Sequence, residues 1–258
     1  MLKIESTTIK SQDYVYPPLS DQKPGDTPLA DCLNENELFA PGLGCWFIFF
    51  DPPVTWQPEV ESTPDSGDTR MQQVWYADGV VWGANGTAVD VEKDIKAGIA
   101  WYAVEPKFDH SRRFDGKVKR EGYLALENNN LSYPAIAMGP NGKGVIAFSI
   151  MGEDYFPSAG YALIDSKGSV GPVQVAAAGL GPDDGFTGYK AFVGDPPRTR
   201  WGDYGAAVTD GSSIWLASEY VAQTCDLDEY LFGGPFGSCG GTRTSLINWA
   251  THVTKLTP

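Results

Sequence analysis

Three segments of the chain share one pattern of positions: a short, mostly hydrophobic run, a two-residue turn, and a second such run that carries a bulky residue. The segments cover residues 73–84, 134–149 and 204–217. Their turn dipeptides are Asp78-Gly79, Asn141-Gly142 and Asp210-Gly211. Short hydrophobic runs on both sides of a turn are typical of paired strands, and these dipeptides supply the positive φ that a two-residue hairpin turn requires. Each segment is therefore predicted to form an antiparallel β-hairpin.

A further alternating segment follows each hairpin, at residues 97–104, 159–164 and 246–253. Fourth strands are predicted at residues 122–127 and 173–177. The turn glycines Gly79, Gly142 and Gly211 are 63 and 69 residues apart. The chain therefore repeats a unit of three or four antiparallel strands, and such a repeat is typical of the blades of a β-propeller.

We expect an all-β fold, either a β-propeller or a partial propeller of four-stranded antiparallel blades, in a single domain over residues 1–258. The repeat units are placed at about residues 69–128, 129–180 and 198–257. A β-sandwich also has short strands at regular spacing and is the competing architecture. The repeat favours the propeller.

The first 68 residues do not show the repeat. Pro-Pro and Pro-Gly pairs interrupt them, so this part is predicted to be irregular, with strands at residues 4–16 and 47–50. Helix signals are almost absent from the chain. In the last repeat unit, a long insertion that carries Cys225 and Cys239 separates the second strand from the third.

The charge balance limits the partners. Acidic residues outnumber basic ones by 33 to 19, which gives a net charge of −14. A surface this negative repels phosphate backbones and anionic lipids, so we expect no nucleic-acid partner. The longest apolar run covers residues 45–50 and is shorter than the ~20 residues needed to cross a bilayer. We therefore expect no membrane insertion.

The four cysteines fall into two local pairs, Cys32 with Cys45 and Cys225 with Cys239. Neither pair has C-x-x-C spacing and no His lies nearby, which disfavours a zinc site or a redox motif. We expect two loop-closing disulfides, each contributing ~3 kcal/mol, rather than four reduced thiols. Disulfides form in oxidising compartments, so the protein is expected to be secreted or displayed on the cell surface, the periplasm included.

Several short motifs recur in a familiar order between about residues 65 and 256. They are Asp-Thr-Arg-Met-Gln-Gln-Val at 68–74, Tyr-Pro-Ala-Ile-Ala at 133–137, Arg-Trp-Gly-Asp-Tyr at 200–204, the strand at 215–220 and Asn-Trp-Ala-Thr at 248–251. As a set they resemble bacterial secreted proteins of the sialidase-like β-propeller superfamily. In that family they lie in the C-terminal part of a larger propeller, so the resemblance implies that this chain is part of a longer one.

Sialidases carry Asp boxes of the form Ser-x-Asp-x-Gly-x-Thr-Trp, and the nearest match here, at residues 63–70, ends in Arg instead of Trp. A sialidase-type site has three parts: arginines that bind the carboxylate of the substrate, a Tyr–Glu pair that acts as the nucleophile, and an acid. The resemblance therefore points to a set of candidate catalytic residues: Arg70, Arg200, Asp203, Tyr204, Glu219 and Tyr220. Arg70 and Arg200 precede or begin predicted inner strands, so both are expected at the same end of the fold. A salt bridge or a backbone cap between blades is the alternative role of the two arginines, and it is favoured over catalysis.

The leading hypothesis is an extracellular module whose loop face binds a glycan, a polymer or another protein. Tyr230 and Phe232 are the candidate contact residues, as aromatic side chains of the cysteine-bearing insertion. The alternatives are a sialidase-like glycoside hydrolase and an assembly component whose propeller is completed by another chain. Only two histidines exist, His110 and His252, which disfavours a Ser–His–Asp triad.

No cofactor or metal is expected. The acidic segments at residues 183–185 and 226–229 offer carboxylates to calcium, but neither has the ligand spacing of an EF-hand loop. Solvated acidic loops are the favoured interpretation of both segments.

Overall fold

The structure, a computed structural model, describes residues 4–35, 45–50, 58–109, 113–197 and 199–258. Within these ranges the chain is mostly β, with three antiparallel sheets of three or four strands, none of them closed. The all-β expectation is confirmed at this level. Strand order follows chain order in each sheet.

The first sheet contains four strands: β1 (Val74–Ala77), β2 (Val80–Val91), β3 (Asp94–Phe108) and β4 (Phe114–Leu124). The second contains β5 (Asn129–Met138), β6 (Lys143–Gly152), β7 (Ser158–Asp165) and β8 (Gln174–Ala177). The third contains β9 (Ala206–Asp210), β10 (Ser213–Val221) and β11 (Trp249–Leu256).

All three predicted hairpins are present, as β1–β2, β5–β6 and β9–β10. Their turn glycines Gly79, Gly142 and Gly211 have φ values of 78°, 72° and 59°, as such turns require. The predicted strand at 173–177 is β8. The one at 122–127 overlaps only the end of β4, which begins much earlier, at Phe114.

The second sheet lies between the other two and is buried on both faces. On one face its side chains pack against the first sheet, around Trp82, Trp101 and Phe148. On the other face small residues such as Ala147 meet Ala207 of the third sheet. Aromatic side chains thus pack in the first interface, while alanines pack with aliphatic residues such as Ile214 and Leu216 in the second.

The first strands of the three sheets meet one another. Strand β5 contacts both β1 and β9. The side chain of Gln73, next to β1, spans the remaining gap: its Nε2 donates to the carbonyl of Ala207 at 2.6 Å, and its Oε1 accepts from the Ala207 N–H at 3.1 Å. The inner edges of all three sheets are therefore joined at one place.

Residues 4–20 run across the outer face of the first sheet. Val15 accepts from the N–H of Ala88 at 3.3 Å, and the Gln12 side chain donates to the carbonyl of Gly122 at 2.8 Å. The predicted strand at residues 4–16 is wrong, because this segment has no strand pairing. Side chains make many of its contacts, so this segment packs on the first sheet and does not form one of its strands.

Helix signals are almost absent from the sequence, and helices make up 10% of the structure. The described residues contain four short α-helices and a 3₁₀ turn at Phe186–Gly188; the helices are α1 (Pro28–Asn34), α2 (Trp46–Phe49), α3 (Lys190–Val193) and α4 (Leu227–Phe232). The run at residues 47–50, predicted as a strand, thus forms most of α2. A short apolar run has no periodicity that separates a buried strand from a buried helix.

These short helices pack into one aromatic cluster, which we call the helical layer. It contains Trp46, Tyr189, Tyr230 and Leu231 together with both disulfides. The predicted pairing of Cys32 with Cys45 and of Cys225 with Cys239 is confirmed, with Cα–Cα distances of 5.1 and 5.5 Å. Each disulfide therefore closes a local loop, with sequence separations of 13 and 14 residues, and both loops lie in this layer.

A buried ion pair lies at the centre of the helical layer. Arg243 Nη2 donates to Asp184 Oδ2 at 2.5 Å, and both side chains are fully buried. The same carboxylate accepts from the N–H groups of Leu29 and Ala30 at the start of α1 and from the Tyr189 hydroxyl. Asp184 therefore holds three distant parts of the chain together.

We expect Arg243→Ala to lower the free energy of unfolding by ~3–5 kcal/mol, because it leaves the Asp184 carboxylate buried without its counterion. Urea denaturation measures the change. The matched control is Arg113→Ala, which removes an exposed pair with Asp109 and should cost less than ~1 kcal/mol. Equal stability of the two variants would contradict the role assigned to Asp184.

Candidate functional site

A cleft of about 310 Å³ opens beside the segments that lead into β1 and β9. Charged and aromatic side chains line it, among them Asp65, Asp68, Arg70, Tyr133, Arg200 and Asp203. It lies where the inner edges of the sheets meet. Clefts with convergent polar groups are the usual places for ligands.

One wall of the cleft is the segment before β1. Asp65 accepts from the N–H of Gly67 at 2.9 Å, and Asp68 accepts from the N–H of Arg70 at 2.8 Å. The Arg70 guanidinium also bonds Asp68 Oδ2 at 2.7 Å, while 82% of the side chain stays exposed. Two successive Asp-centred turns therefore present a guanidinium and carboxylates on one surface.

The opposite wall is the segment before β9. Arg200 Nη2 lies 3.2 Å from Asp203 Oδ2, and both side chains are more than half exposed. Between them Trp201 is almost completely buried and anchors the wall in the core. Gln72 Nε2 donates to the carbonyl of Asp203 at 2.5 Å and ties the two walls together.

Tyr133, from β5, forms the floor. Its φ is +53°, a left-handed conformation that is uncommon for an aromatic residue. Gly67 and Gly202 lie against its ring, and a Cβ at either position would come within 3.0 and 2.6 Å of ring atoms. Burial, and then the negative charges of Asp65, Asp203 and Glu219, raise the pKa of its phenol well above 10.0. Tyr133 therefore stays a neutral hydroxyl.

Three carboxyl groups, those of Asp183, Glu61 and Glu219, have raised pKa values; Asp183 is buried and the other two are partly buried. Burial, helped by Asp203, raises the pKa of Glu219 to about 7, although the N–H of Gly202 acts in the opposite direction. Burial and the charges of Asp184 and Glu219 raise the pKa of Asp183 to about 7. Burial followed by Asp184 raises the pKa of Glu61 to about 7. All three therefore hold protons at pH values where ordinary carboxyls are charged.

The structure brings some of the candidate catalytic residues together. Arg70, Arg200 and Asp203 line one cleft, and the expectation that the two arginines lie at the same end of the fold is confirmed. Glu219 is close behind, bonded to Gly202.

The other candidates lie elsewhere. Tyr204 is 77% exposed and does not line the cleft. Tyr220 is on the opposite face of β10 from Glu219, where its ring meets His252 edge-on at 5.7 Å. The second histidine, His110, lies outside the described residues.

The expectation that Tyr230 is an exposed contact residue is wrong. Its side chain is fully buried in the helical layer, and its hydroxyl donates to the carbonyl of Ser245 at 2.5 Å. The insertion packs against the other short helices in one shared hydrophobic cluster, and Tyr230 is buried there with its hydroxyl hydrogen-bonded. Phe232, two residues later, is 66% exposed and stays a candidate contact.

The acidic segments considered for calcium serve other purposes. The Asp226 side chain accepts from the N–H of Glu229 and caps α4, while Asp184 is paired with Arg243. In the part of the chain that the structure describes, no group of three or more His, Cys, Asp or Glu side chains is arranged to hold a metal ion.

Sequence reasoning did not single out Tyr16, Asp65, Asp68, Gln72, Tyr133 or Trp201 as site residues. Five of them fall inside the motifs at 63–74, 133–137 and 200–204, so a signal was present for those. Tyr16 belongs to the irregular N-terminal part and reaches the cleft only because that segment crosses the first sheet.

Comparison of the chain with protein-family models, with curated proteins and with solved structures found no match. Across the described ranges, none of the helices has the length and apolar character needed to traverse a bilayer. The two disulfides are consistent with a secreted or extracellular protein.

We expect the free energy of unfolding to fall as the pH rises from about 4 to about 7. The pKa of Asp183 is raised from 3.8 to about 7, so the folded chain keeps a proton that the unfolded chain releases across this interval. One such proton corresponds to up to ~1.4 kcal/mol per pH unit. Urea denaturation at a series of pH values measures the slope.

Asp183→Asn should flatten this dependence, because the amide stays neutral and keeps an acceptor for the N–H of Gly185. Glu153→Gln, at an exposed carboxyl, is the control and should leave the slope unchanged. A stability that rises between these pH values in the unmodified protein would show that the buried carboxyls are charged in the folded state.

Proposed function

We propose that the protein is an extracellular glycan-binding module, and that its three sheets are consecutive blades of a propeller or partial propeller. One observation carries the binding proposal. Arg70 pairs with Asp68 on one wall of the cleft, and Arg200 pairs with Asp203 on the opposite wall. The meeting of β1, β5 and β9 at their inner edges supports the propeller arrangement.

The chemistry of the cleft suits sugar hydroxyls. Each hydroxyl group is both a donor and an acceptor, and each wall offers carboxylate oxygens beside guanidinium N–H groups. Hydrogen bonds to charged partners are stronger than neutral ones. Tyr16, 66% exposed at the rim, offers a flat apolar surface for the face of a sugar ring. The walls are linked through Gln72, so little ordering is needed on binding.

We expect Arg70→Ala and Asp203→Ala each to weaken glycan binding by at least ~10-fold, because each removes charged hydrogen-bond partners worth ~1.5–3 kcal/mol. An array of immobilised oligosaccharides with neutral and acidic termini identifies the ligand. Titration calorimetry on the best ligand then gives the dissociation constants.

The matched control is Arg113→Ala. It removes an exposed Arg–Asp pair of the same chemistry outside the cleft, with Asp109 as the partner at 2.8 Å. Binding that survives both cleft variants, or that fails equally in the control, would contradict the cleft as the binding site.

Glycoside hydrolysis is the second candidate function, and Glu219 favours it. A glycosidase needs one carboxyl that stays protonated near neutral pH and a second carboxylate nearby. Burial raises the pKa of Glu219 to about 7, and Asp203 is close enough to contribute to that shift. Glu219 accepts from the N–H of Gly202, which directly precedes the cleft residue Asp203, so the two carboxyl groups belong to one neighbourhood.

If the cleft hydrolyses glycosides, Glu219→Gln should abolish turnover while leaving the dissociation constant nearly unchanged, since the amide cannot donate the required proton. Activity should also decline above about pH 7 as Glu219 ionises. Chromogenic aryl glycosides report the rate. Turnover by Glu219→Gln at the unmodified rate would remove Glu219 from the mechanism, and absence of turnover on every glycoside would leave binding as the function.

A further inference from the structure

The third sheet ends in an unpaired edge strand. Its order is β11-β10-β9, and β9 is the inner strand that meets β5. In the first and second sheets a fourth strand pairs with the third strand. In the third sheet the third strand is β11, and within the described ranges no strand pairs with its outer edge. Along the eight residues Trp249–Leu256, alternate residues therefore direct main-chain N–H and C=O groups to an edge that has no partner strand in the described ranges.

The other outer edges are protected, and β11 is not. Strand β4 carries five charged residues, pairs with β3 through a register shift, and is crossed by residues of the N-terminal segment. Strand β8 is only four residues long. Strand β11 pairs with β10 without any register shift and contains no proline or glycine. Long, regular, weakly charged edges are those that accept another strand.

The side chains of β11 are self-complementary in an antiparallel pairing. If two copies pair with His252 opposite His252, Trp249 of each lies opposite Lys255 of the other, and Thr251 lies opposite Val253. All four of these positions are on the exposed face. Lys255 already lies 5.3 Å from the ring of Trp215, so the second tryptophan would sandwich the ammonium group.

The local charge also fits a second copy. The chain as a whole carries a net charge of −14, but β11 contains one lysine and no carboxylate. The acidic surface therefore does not repel its counterpart along this edge. Added salt should strengthen association, because it screens the repulsion between the rest of the two chains.

We propose that the protein forms a two-fold dimer in which β11 pairs antiparallel with β11 of a second copy, producing a continuous six-stranded sheet. A two-fold axis makes both partners use the same surface, as the self-complementary pairing requires. The proposal is independent of the cleft, which lies before β1 and β9 rather than at β11.

Light scattering coupled to size exclusion, run over a range of protein concentrations, tests the assembly. The expected species has twice the mass of the 27.9 kDa chain at high concentration and dissociates on dilution. Hydrogen exchange on the same samples should show amide protection along β11 that increases with concentration. The proposal is overturned if the protein is a monomer at every concentration. It is also overturned if the β11 amides become protected only when a different protein is added.

A charge exchange tests the register. Trp249→Lys places lysine opposite Lys255 at two symmetric points and should abolish the dimer. Trp249→Lys combined with Lys255→Glu places opposite charges there and should restore it. Tyr76→Lys, an equivalent aromatic-to-lysine change at a 65% exposed position on the edge strand β1, is the control and should remain dimeric. Thermal unfolding at low concentration shows whether each variant folds.

A dimer that survives Trp249→Lys, or one that the double variant fails to restore although it folds, overturns this pairing. If Trp249→Lys does not fold, Val253→Lys replaces it, because that side chain is 60% exposed on the same face. A folded Val253→Lys variant that dimerises as the unmodified protein does also counts against the proposal.

Discussion

The buried pair of Asp184 and Arg243 is the interaction on which the arrangement of the chain outside the sheets depends. Burial raises the pKa of the Asp184 carboxyl, and Arg243, the Tyr189 hydroxyl and the N–H of Leu29 act against that shift. A buried charge is tolerated only when its partners are in place. One carboxylate thereby brings α1, the segment after β8 and the cysteine-bearing insertion together, while each disulfide constrains a local loop, one that starts in α1 and one within the insertion.

The helical layer in turn positions the cleft. The Glu59 carboxylate accepts from the N–H groups of Lys190 and Ala191, and Ser62 donates to the carbonyl of Gly188, so the segment leading to the first wall is bound to this layer. The N–H of Arg200 donates to Thr187 at 3.3 Å, which connects the second wall. Both walls are thus held by the same support, with Tyr133 between them. A ligand would find the polar groups already placed.

The sequence and the structure agree where the signal is local. The hairpins around Gly79, Gly142 and Gly211 were predictable because a turn with positive φ requires particular residues. The turn between β2 and β3 was not, because Glu92 and Lys93 adopt positive φ values of 53° and 77° without a glycine. Tertiary packing of two long strands overrides local preference there. The aromatic run of α2 gave a wrong prediction for the same reason: its conformation is decided by the neighbours it packs against.

The sequence alone predicts the β-rich character, the three hairpins, both disulfide pairs and the placement of Arg70 and Arg200 at the same end of the fold. Each of these predictions rests on short-range geometry or on a repeated pattern. Only the tertiary structure decides that Tyr133 forms the floor of the cleft, that Tyr230 is buried, and that Asp184 meets Arg243. These depend on contacts between residues far apart in the chain. Whether a polar or aromatic side chain is a ligand contact or a core contact is set by what surrounds it, and the residue type does not carry that information.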